Sequence, residues 1–149
     1  MSNERSQEDF DRRDKLYKVL NKYSPYDNAL DLNCADGFIS EFLPAVTIHG
    51  IQFDDTSHKF LPPIVKKLSA PEERYDLVMA NEILYSINDH KKIYEWIMKS
   101  ATRIILISGI RDLLIRYKYG KILYREEFKY KENIQEIIVY EYIGENPME

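Results

Sequence analysis

The sequence predicts an α/β fold in which a mostly parallel sheet carries helices on both faces and ends in an antiparallel hairpin. Mostly apolar runs bounded by turn residues occur at 29–32, 75–80 and 103–108, as expected of buried strands. Segments with helical spacing of apolar residues alternate with these runs, which is the order that produces a right-handed parallel sheet. The last forty residues differ, because they contain two consecutive β segments.

The composition is typical of one globular domain over residues 1–149, of which we expect residues 1–7 to be disordered. A formal charge of −4 creates no global field that favours nucleic acid or an anionic membrane. The single cysteine, Cys34, excludes an internal disulfide and a cysteine-based zinc site, and we expect no metal. The sequence lacks a long apolar span and a signal peptide, so we expect a cytoplasmic protein without membrane partners.

The chain opens with a predicted helix over residues 8–23. Ser6 followed by Asp9 resembles a capping box, and apolar residues then recur at helical spacing. Two roles are open for this helix. It either covers one edge of the sheet or forms a lid over the turn at residues 33–37.

Residues 28–43 form a predicted strand, tight turn and short helix, and we place the function at the turn. The strand is the apolar run 29–32. Beyond the turn, apolar residues 38, 39, 42 and 43 recur on one helical face until Pro44 ends the pattern. Such a turn brings backbone N–H groups to the carboxyl edge of a sheet, where ligands of open α/β folds bind.

The next elements are more compact than a parallel sheet normally requires. A second strand is predicted at 46–53 and a short third strand at 64–68, separated by residues 56–60 and the Pro62-Pro63 break. A parallel crossover generally needs about a dozen residues or more. Either the crossover helix is vestigial or the third strand is absent.

The second half of the chain brings further polar residues to the same edge. The strand at 75–80 leads into Asn81 and Glu82, and a helix at 90–100 follows with Asn88 or Asp89 as its expected cap. After the strand at 103–108, residues 121–125 and 134–143 form the predicted hairpin. Seven basic residues against three acidic ones, with interleaved tyrosines, lie between Arg111 and Lys131, a composition compatible with an RNA or acidic partner.

Three motifs in this order resemble class I S-adenosylmethionine-dependent methyltransferases. They are Asp-Leu-Asn-Cys-Ala-Asp-Gly at 31–37, Tyr-Asp-Leu-Val leading to Asn-Glu-Ile-Leu-Tyr at 75–85, and Ile-Ser-Gly-Ile-Arg-Asp at 107–112. The nearest group is the nodulation-factor N-methyltransferases, which methylate a sugar amine. The resemblance covers residues 10–108 and implies a Rossmann-like methyltransferase fold of reduced size, with S-adenosylmethionine as cofactor.

The resemblance also implies roles for individual residues. Small residues in the first turn let the backbone approach the cofactor, a polar group at the end of the second strand binds the ribose, and the end of the fourth strand faces the acceptor. The cofactor-binding residues would be Asp31, Asn33, Cys34, Ala35, Gly37, Gln52, Asp54 and Asn81, and the catalytic residues Glu82 and Tyr85. Methyl transfer is an in-line displacement, so a base helps only when the nucleophile is protonated.

The chain departs from the family pattern at two positions that bind cofactor. The usual acid-x-Gly-x-Gly-x-Gly turn reads Asp31-x-Asn33-x-Ala35-x-Gly37 and keeps one glycine of three. The ribose-binding acid aligns with Gln52, a neutral acceptor in place of a charged one. Asp54 or Asp55 could substitute for it if the strand end is shifted.

Three functions therefore remain open. The first is methyl transfer to an amine or hydroxyl of a small molecule, such as a sugar or related metabolite. The second is a catalytically inactive methyltransferase-like binding or regulatory subunit, with a protein partner or a second copy at the exposed hairpin edge. The third, which we favour less, is nucleic-acid modification or binding through Arg111 to Lys131. A nicotinamide-binding domain is disfavoured, because the Gly-x-Gly-x-x-Gly turn is absent.

Overall fold

The computed structural model describes residues 5–51, 61–82, 87–115 and 117–144. Two α-helices and seven strands occur in these ranges. In chain order they are α1 (Gln7–Asn21), β1 (Tyr26–Asp31), β2 (Ala45–Ile51), β3 (Val65–Leu68), β4 (Tyr75–Asn81), α2 (Ile87–Ser100), β5 (Ala101–Ile110), β6 (Lys121–Tyr130) and β7 (Asn133–Glu141). Neither described helix is long and apolar enough to cross a membrane.

The strands form one sheet in the order β3-β2-β1-β4-β5-β7-β6. The first five strands of this order are mutually parallel, and β7 is antiparallel to both of its neighbours. The predicted mostly parallel sheet with a C-terminal antiparallel hairpin is therefore confirmed. The short third strand is present, and the hairpin strand β6 extends five residues beyond its predicted end at residue 125.

One helix covers each face of the sheet, as predicted. Leu16 and Leu20 of α1 pack in a cluster with Leu77 of β4, whereas Ile93 of α2 packs on the opposite face in a cluster with Val78. Successive residues of a strand point to opposite faces. Because both faces of β4 are covered, its central residues 77–80 are all apolar and do not alternate with polar residues.

Helix α1 begins at the predicted capping box. The Asp9 N–H donates to Ser6 Oγ over 3.2 Å, and the Ser6 N–H donates to Asp9 Oδ2 over 3.0 Å. Ser6 and Gln7, which we expected to be disordered, are the cap and the first residue of this helix. The buried residues of α1 pack on a face of the sheet, and polar residues of the same helix, such as Lys15, contact the edge strand β6.

The predicted helix after the first turn was wrong. Residues 38–43 contain only a short 3₁₀ helix, Ser40–Phe42. The Ser40 side chain is buried against Asp31, and Pro44 follows one residue after Leu43, so there is no room for a second helical turn. The caps predicted for α2 were also wrong, because Asn88 and Asp89 lie within its first turn.

Candidate functional site

The carboxyl ends of β1 and β4 meet at the centre of the sheet, as the sequence predicted. Asp31 pairs with Met79 in the parallel register, and the Leu32 N–H donates to the Met79 carbonyl over 2.9 Å. Two residues further along each chain segment, Asn33 Nδ2 donates to the Asn81 carbonyl over 3.0 Å. The turn after β1 is therefore joined directly to the polar end of β4.

The turn closes although two of the usual three glycines are replaced. The Cys34 N–H donates to the Ile51 carbonyl over 3.1 Å, and the Gly37 N–H donates to the Cys34 carbonyl over 2.7 Å. Gly37 has φ +83°, and a Cβ there would lie 2.4 Å from Cδ of Pro62. Ala35 has φ +47°, a left-handed conformation that costs an L-residue roughly 1–2 kcal/mol. Glycine is required at 37 and would be less strained at 35.

Asp31 is buried beneath this turn and supports it by hydrogen bonds. Its side chain is 1% exposed and accepts hydrogen bonds from Ser40 Oγ at 2.5 Å and from the Asn33 N–H at 3.1 Å. Burial raises the pKa of Asp31, and these two hydrogen bonds only partly offset that effect. Asp31 therefore shapes the turn from below and does not reach its open side.

Cys34 fills space under the same turn. A Cβ on Gly50 would lie 2.8 Å from the Cβ of Cys34, so the two residues pack as closely as their sizes allow. Burial, and then the nearby Asp31, raise the pKa of the Cys34 thiol to about 12. Burial therefore disfavours the thiolate, which is the nucleophilic form of cysteine.

Arg12 of α1, which the sequence patterns did not place in the site, joins the polar end of β4 to α1 and β7. Its side chain is 6% exposed and donates to Asn81 Oδ1, and its Nη2 lies 3.3 Å from Glu82 Oε2. Its Nε also donates to Gln135 Oε1 over 3.3 Å. Asn81 Oδ1 accepts a second hydrogen bond from Ser108 Oγ at 2.5 Å. Four elements thus converge on Arg12 and Asn81.

A second set of contacts binds the start of α1 to the turn. Arg5 forms an ion pair with Asp36, and its guanidinium lies 4.2 Å from the ring centroid of Phe38. The guanidinium of Arg13 lies 4.5 Å from the same centroid, and Phe10 meets Phe38 edge-on at 5.3 Å. These contacts agree with the lid interpretation of α1, which lies across the turn as well as on the sheet face.

Between α1, the turn and the end of β4 lies a cavity of about 150 Å³. Its polar lining has charges of both signs and includes Arg5, Arg12, Asn33, Asp36, Asn81 and Glu82. Pockets that enclose a drug-sized ligand typically measure about 300–1,000 Å³. The cavity between the described residues therefore accounts for only part of the space that a nucleoside-containing ligand needs.

Most of the predicted site residues come together at this one edge. Asn33, Cys34, Ala35, Asn81 and Glu82 line the cavity, with Asp31 and Gly37 in the adjoining turn. The predicted residues Gln52, Asp54 and Tyr85 lie outside the described residues. Within the described ranges, no group of three or more His, Cys, Asp or Glu residues could hold a metal ion.

Several basic side chains of the segment from Arg111 to Lys131 pair with carboxylates. Arg111 lies 3.2 Å from Glu127, and Arg125 forms an ion pair with the fully buried Glu136. Lys131 lies 3.5 Å from an oxygen of Asp9. The positive charge that suggested a nucleic-acid surface is therefore partly neutralised within the chain.

No family model and no curated protein matches the chain. Several solved structures, however, are similar to the chain in fold. The N-methyltransferase NodS from Bradyrhizobium japonicum WM9, in complex with S-adenosyl-L-homocysteine, is 10% identical with a TM-score of 0.78 over 93% of this chain and 89% of that one. Magnesium protoporphyrin IX methyltransferase (ChlM) from Synechocystis PCC 6803, with bound S-adenosylmethionine, is 11% identical with a TM-score of 0.72 over 95% and 86%.

A third similar structure is an S-adenosylmethionine-dependent methyltransferase from Methanosarcina mazei, 13% identical with a TM-score of 0.63 over 87% of this chain and 99% of that one. At sequence identities this low, structural similarity shows a shared fold and does not show a shared activity. The TM-scores show that the similarity extends over most of this chain. The chain therefore has the small Rossmann-like fold of the class I S-adenosylmethionine-dependent methyltransferases.

Proposed function

We propose that the chain binds S-adenosylmethionine and transfers its methyl group to an amine or hydroxyl of a small molecule. The observation that carries this proposal is the direct junction of the β1 turn and the β4 end, where Asn33 bonds to Asn81. Both residues line a cavity at the carboxyl edge of a sheet that has a methyltransferase fold. Ligands of open α/β sheets bind at this edge.

The lining of the cavity fits the charged amino-acid end of the cofactor. That end carries one positive and one negative group, and the cavity presents arginine and carboxylate side chains. The cofactor when bound supplies an activated methyl group on a sulfonium. The ribose and adenine need further space, and their predicted contacts, Gln52 and Asp54, stay predictions.

The acceptor side of the site consists of Glu82 and its supports. Ser108 and Arg12 fix the side chain of Asn81, so this amide cannot turn away from the cavity. Glu82 is 34% exposed at the cavity and would take the proton that an amine or hydroxyl releases when it is methylated. Tyr85 stays a predicted contact of the acceptor.

Calorimetric titration with S-adenosylmethionine and its demethylated product tests cofactor binding. We expect micromolar affinity for both, and no binding at millimolar concentration would overturn the proposal. The release of demethylated cofactor is then measured against a panel of amino sugars and hydroxylated metabolites. Glu82→Gln should keep cofactor affinity while turnover falls roughly 10²–10⁴-fold. Glu132→Gln, the same chemical change in the exposed hairpin turn, is the matched control and should change neither.

A second candidate is an inactive binding or regulatory subunit. The observation that favours it is that Arg12 already pairs with Asn81 and Glu82 inside a cavity of only about 150 Å³. This candidate would be refuted if the wild-type chain catalyses methyl transfer and Asp31→Asn abolishes that activity. Binding of neither cofactor form, even by an Ala35→Gly variant with a less strained turn, would support it.

The nucleic-acid hypothesis stays a prediction with less support. It requires RNA or DNA binding that weakens with salt and when Lys118, Lys121 and Arg125 are neutralised. The ion pair of Arg125 with the buried Glu136 already satisfies one of these charges within the chain.

A further inference from the structure

The strand β6 ends the sheet and has an outer edge along which no described strand pairs. The hydrogen bonds between β5 and β7 determine which peptide groups of β6 face outward. The Arg111 N–H donates to the Ile134 carbonyl, so the peptide groups of Ile134 face β5. Peptide groups alternate in direction along a strand. Residues 133, 135 and 137 of β7 therefore face β6, and their partners in β6 are 130, 128 and 126. The peptide groups of Arg125, Glu127 and Lys129 point outward.

We propose that β6 pairs with β6 of a second copy of this chain, antiparallel and about a two-fold axis at Glu126. A two-fold axis perpendicular to the sheet keeps each face of the sheet on its own side. Such an axis lies midway between the two copies of one residue, on which the pairing is centred. Centred on Arg125, the pairing sets that residue against itself. Centred on Glu127, it sets Glu127 against itself and Arg125 against Lys129. The pairing centred on Glu126 sets Arg125 against Glu127 of the other copy, and it does so twice. A pairing centred on Phe128 would set Glu127 against Lys129, but it would extend into the hairpin turn at residues 131–132.

The side chains at this edge are arranged to meet across the axis. Arg125 contacts Glu136 through Nε and is 53% exposed, whereas Glu127 contacts Arg111 through Oε1 and is 44% exposed. The outer guanidinium nitrogens of Arg125 and the second oxygen of Glu127 are the atoms that would pair. Opposite charges in directly opposed residues stabilise a sheet, and like charges destabilise it.

The other face of β6 is compatible with the same register. Tyr124 would lie opposite Phe128 of the second copy, an aromatic cross-strand pair. The two Glu126 side chains meet at the axis, but each carboxylate is bound by Lys15 at 2.7 Å and by the Tyr124 hydroxyl at 2.5 Å. These contacts within each chain reduce the repulsion between the two carboxylates.

The extent of the pairing limits its strength. A register irregularity between Ile122 and Tyr124 interrupts the strand, and such bulges stop edge pairing. The regular part, residues 124–128, forms five opposed positions across the axis. So short a contact buries less than the roughly 1,200–2,000 Å² of a standard interface. We therefore expect a reversible dimer with a dissociation constant in the micromolar range.

Analytical ultracentrifugation of the full chain over a micromolar concentration series tests the dimer, and charge reversal tests its register. Glu127→Arg and Arg125→Glu should each weaken the dimer at least ~10-fold, because each sets like charges opposite one another. An equimolar mixture of the two variants should restore it, because in the heterodimer both pairs of residues 125 and 127 are of opposite sign. Native mass spectrometry distinguishes this heterodimer from the homodimers. Glu95→Arg, which makes the same charge change on the exposed side of α2, is the control.

A backbone variant keeps the test decisive if Arg125→Glu fails to fold beside the buried Glu136. Glu127→Pro removes an outward N–H and leaves the ladder to β7 intact. It should abolish the dimer while circular dichroism and the melting temperature show a folded monomer. A wild type that is monomeric throughout the series overturns the proposal, and so does a dimer that persists in Glu127→Pro. A mixture of folded charge variants that stays monomeric overturns it as well.

Discussion

Substitution of Gly37 should lower the free energy of unfolding for two separate structural reasons. Replacement by alanine forces an L-residue to φ +83°, which costs about 1–2 kcal/mol. It also places a Cβ 2.4 Å from Pro62 Cδ, and relief of such overpacking costs about 1–3 kcal/mol. Alanine also lowers the conformational entropy of the unfolded chain relative to glycine, which offsets about 0.4–1 kcal/mol of this cost. The free energy of unfolding should therefore fall by about 2–4 kcal/mol, or roughly 6–12 °C in melting temperature.

Gly144 provides a matched control, because its φ is +84° and a Cβ there would meet nothing within 4 Å. Gly144→Ala carries the backbone cost alone, so it should lower the free energy of unfolding by about 1 kcal/mol or less. Urea denaturation of the two variants measures the difference, which reports the contact with Pro62. If Gly37→Ala is no more destabilising than Gly144→Ala, the close packing of the turn against Pro62 is refuted.

Three further predictions follow from the site and from α1. Ala35→Gly should raise the free energy of unfolding by about 0.5–1 kcal/mol, because relief of the positive φ outweighs the added entropy of the unfolded chain; a loss of stability in urea denaturation would contradict this. Arg12→Met should lower it by about 2 kcal/mol, and Arg12→Lys should recover less than half, because lysine lacks the Nε donor; equal stabilities would exclude the bridging role. Burial raises the pKa of Asp9, but hydrogen bonds from Tyr130 and Ser6 outweigh it and hold the pKa at about 2 instead of 3.8. Asp9 should therefore stabilise the fold above pH 4 by about 1 kcal/mol after solvent screening, and this stabilisation is lost between pH 4 and 2. In Asp9→Asn the free energy of unfolding, measured by urea denaturation, should depend less on pH in this range.

The sequence contained enough information to predict the sheet but not all of its helices. Central strands such as β4 carry a local signal, because burial on both faces requires an unbroken apolar run. The apolar residues after Gly37 carry the spacing of a helix, yet they go to three different environments. Phe38 packs against α1, Phe42 is exposed and Leu43 is buried. A tertiary hydrogen bond from Ser40 to Asp31 determines this segment, and no local pattern reports it.

The same distinction applies to the site. Asn33, Asn81 and Glu82 could be predicted because the ends of parallel strands meet at one edge. Arg12 could not be placed in the site, since its partners lie 69, 70 and 123 positions further along the chain. One signal was present, however. Arg12 precedes Leu16 by four residues and so lies on the buried stripe of an otherwise amphipathic helix, where a charged residue requires a partner.

The attachment of α1 to the hairpin has a consequence for the order of folding. Lys15 binds Glu126, 111 positions later, and Arg12 binds Gln135, 123 positions later. Contacts of such long sequence separation form late, because the intervening chain must first be ordered. Helix α1 can pack on β4 through Leu16 and Leu20 earlier, but its contacts with Glu126 and Gln135 form only after the two hairpin strands. A chain that stops at β5 would contain α1, the turn and the end of β4, but its cavity would lack the wall that Tyr130 of β6 provides.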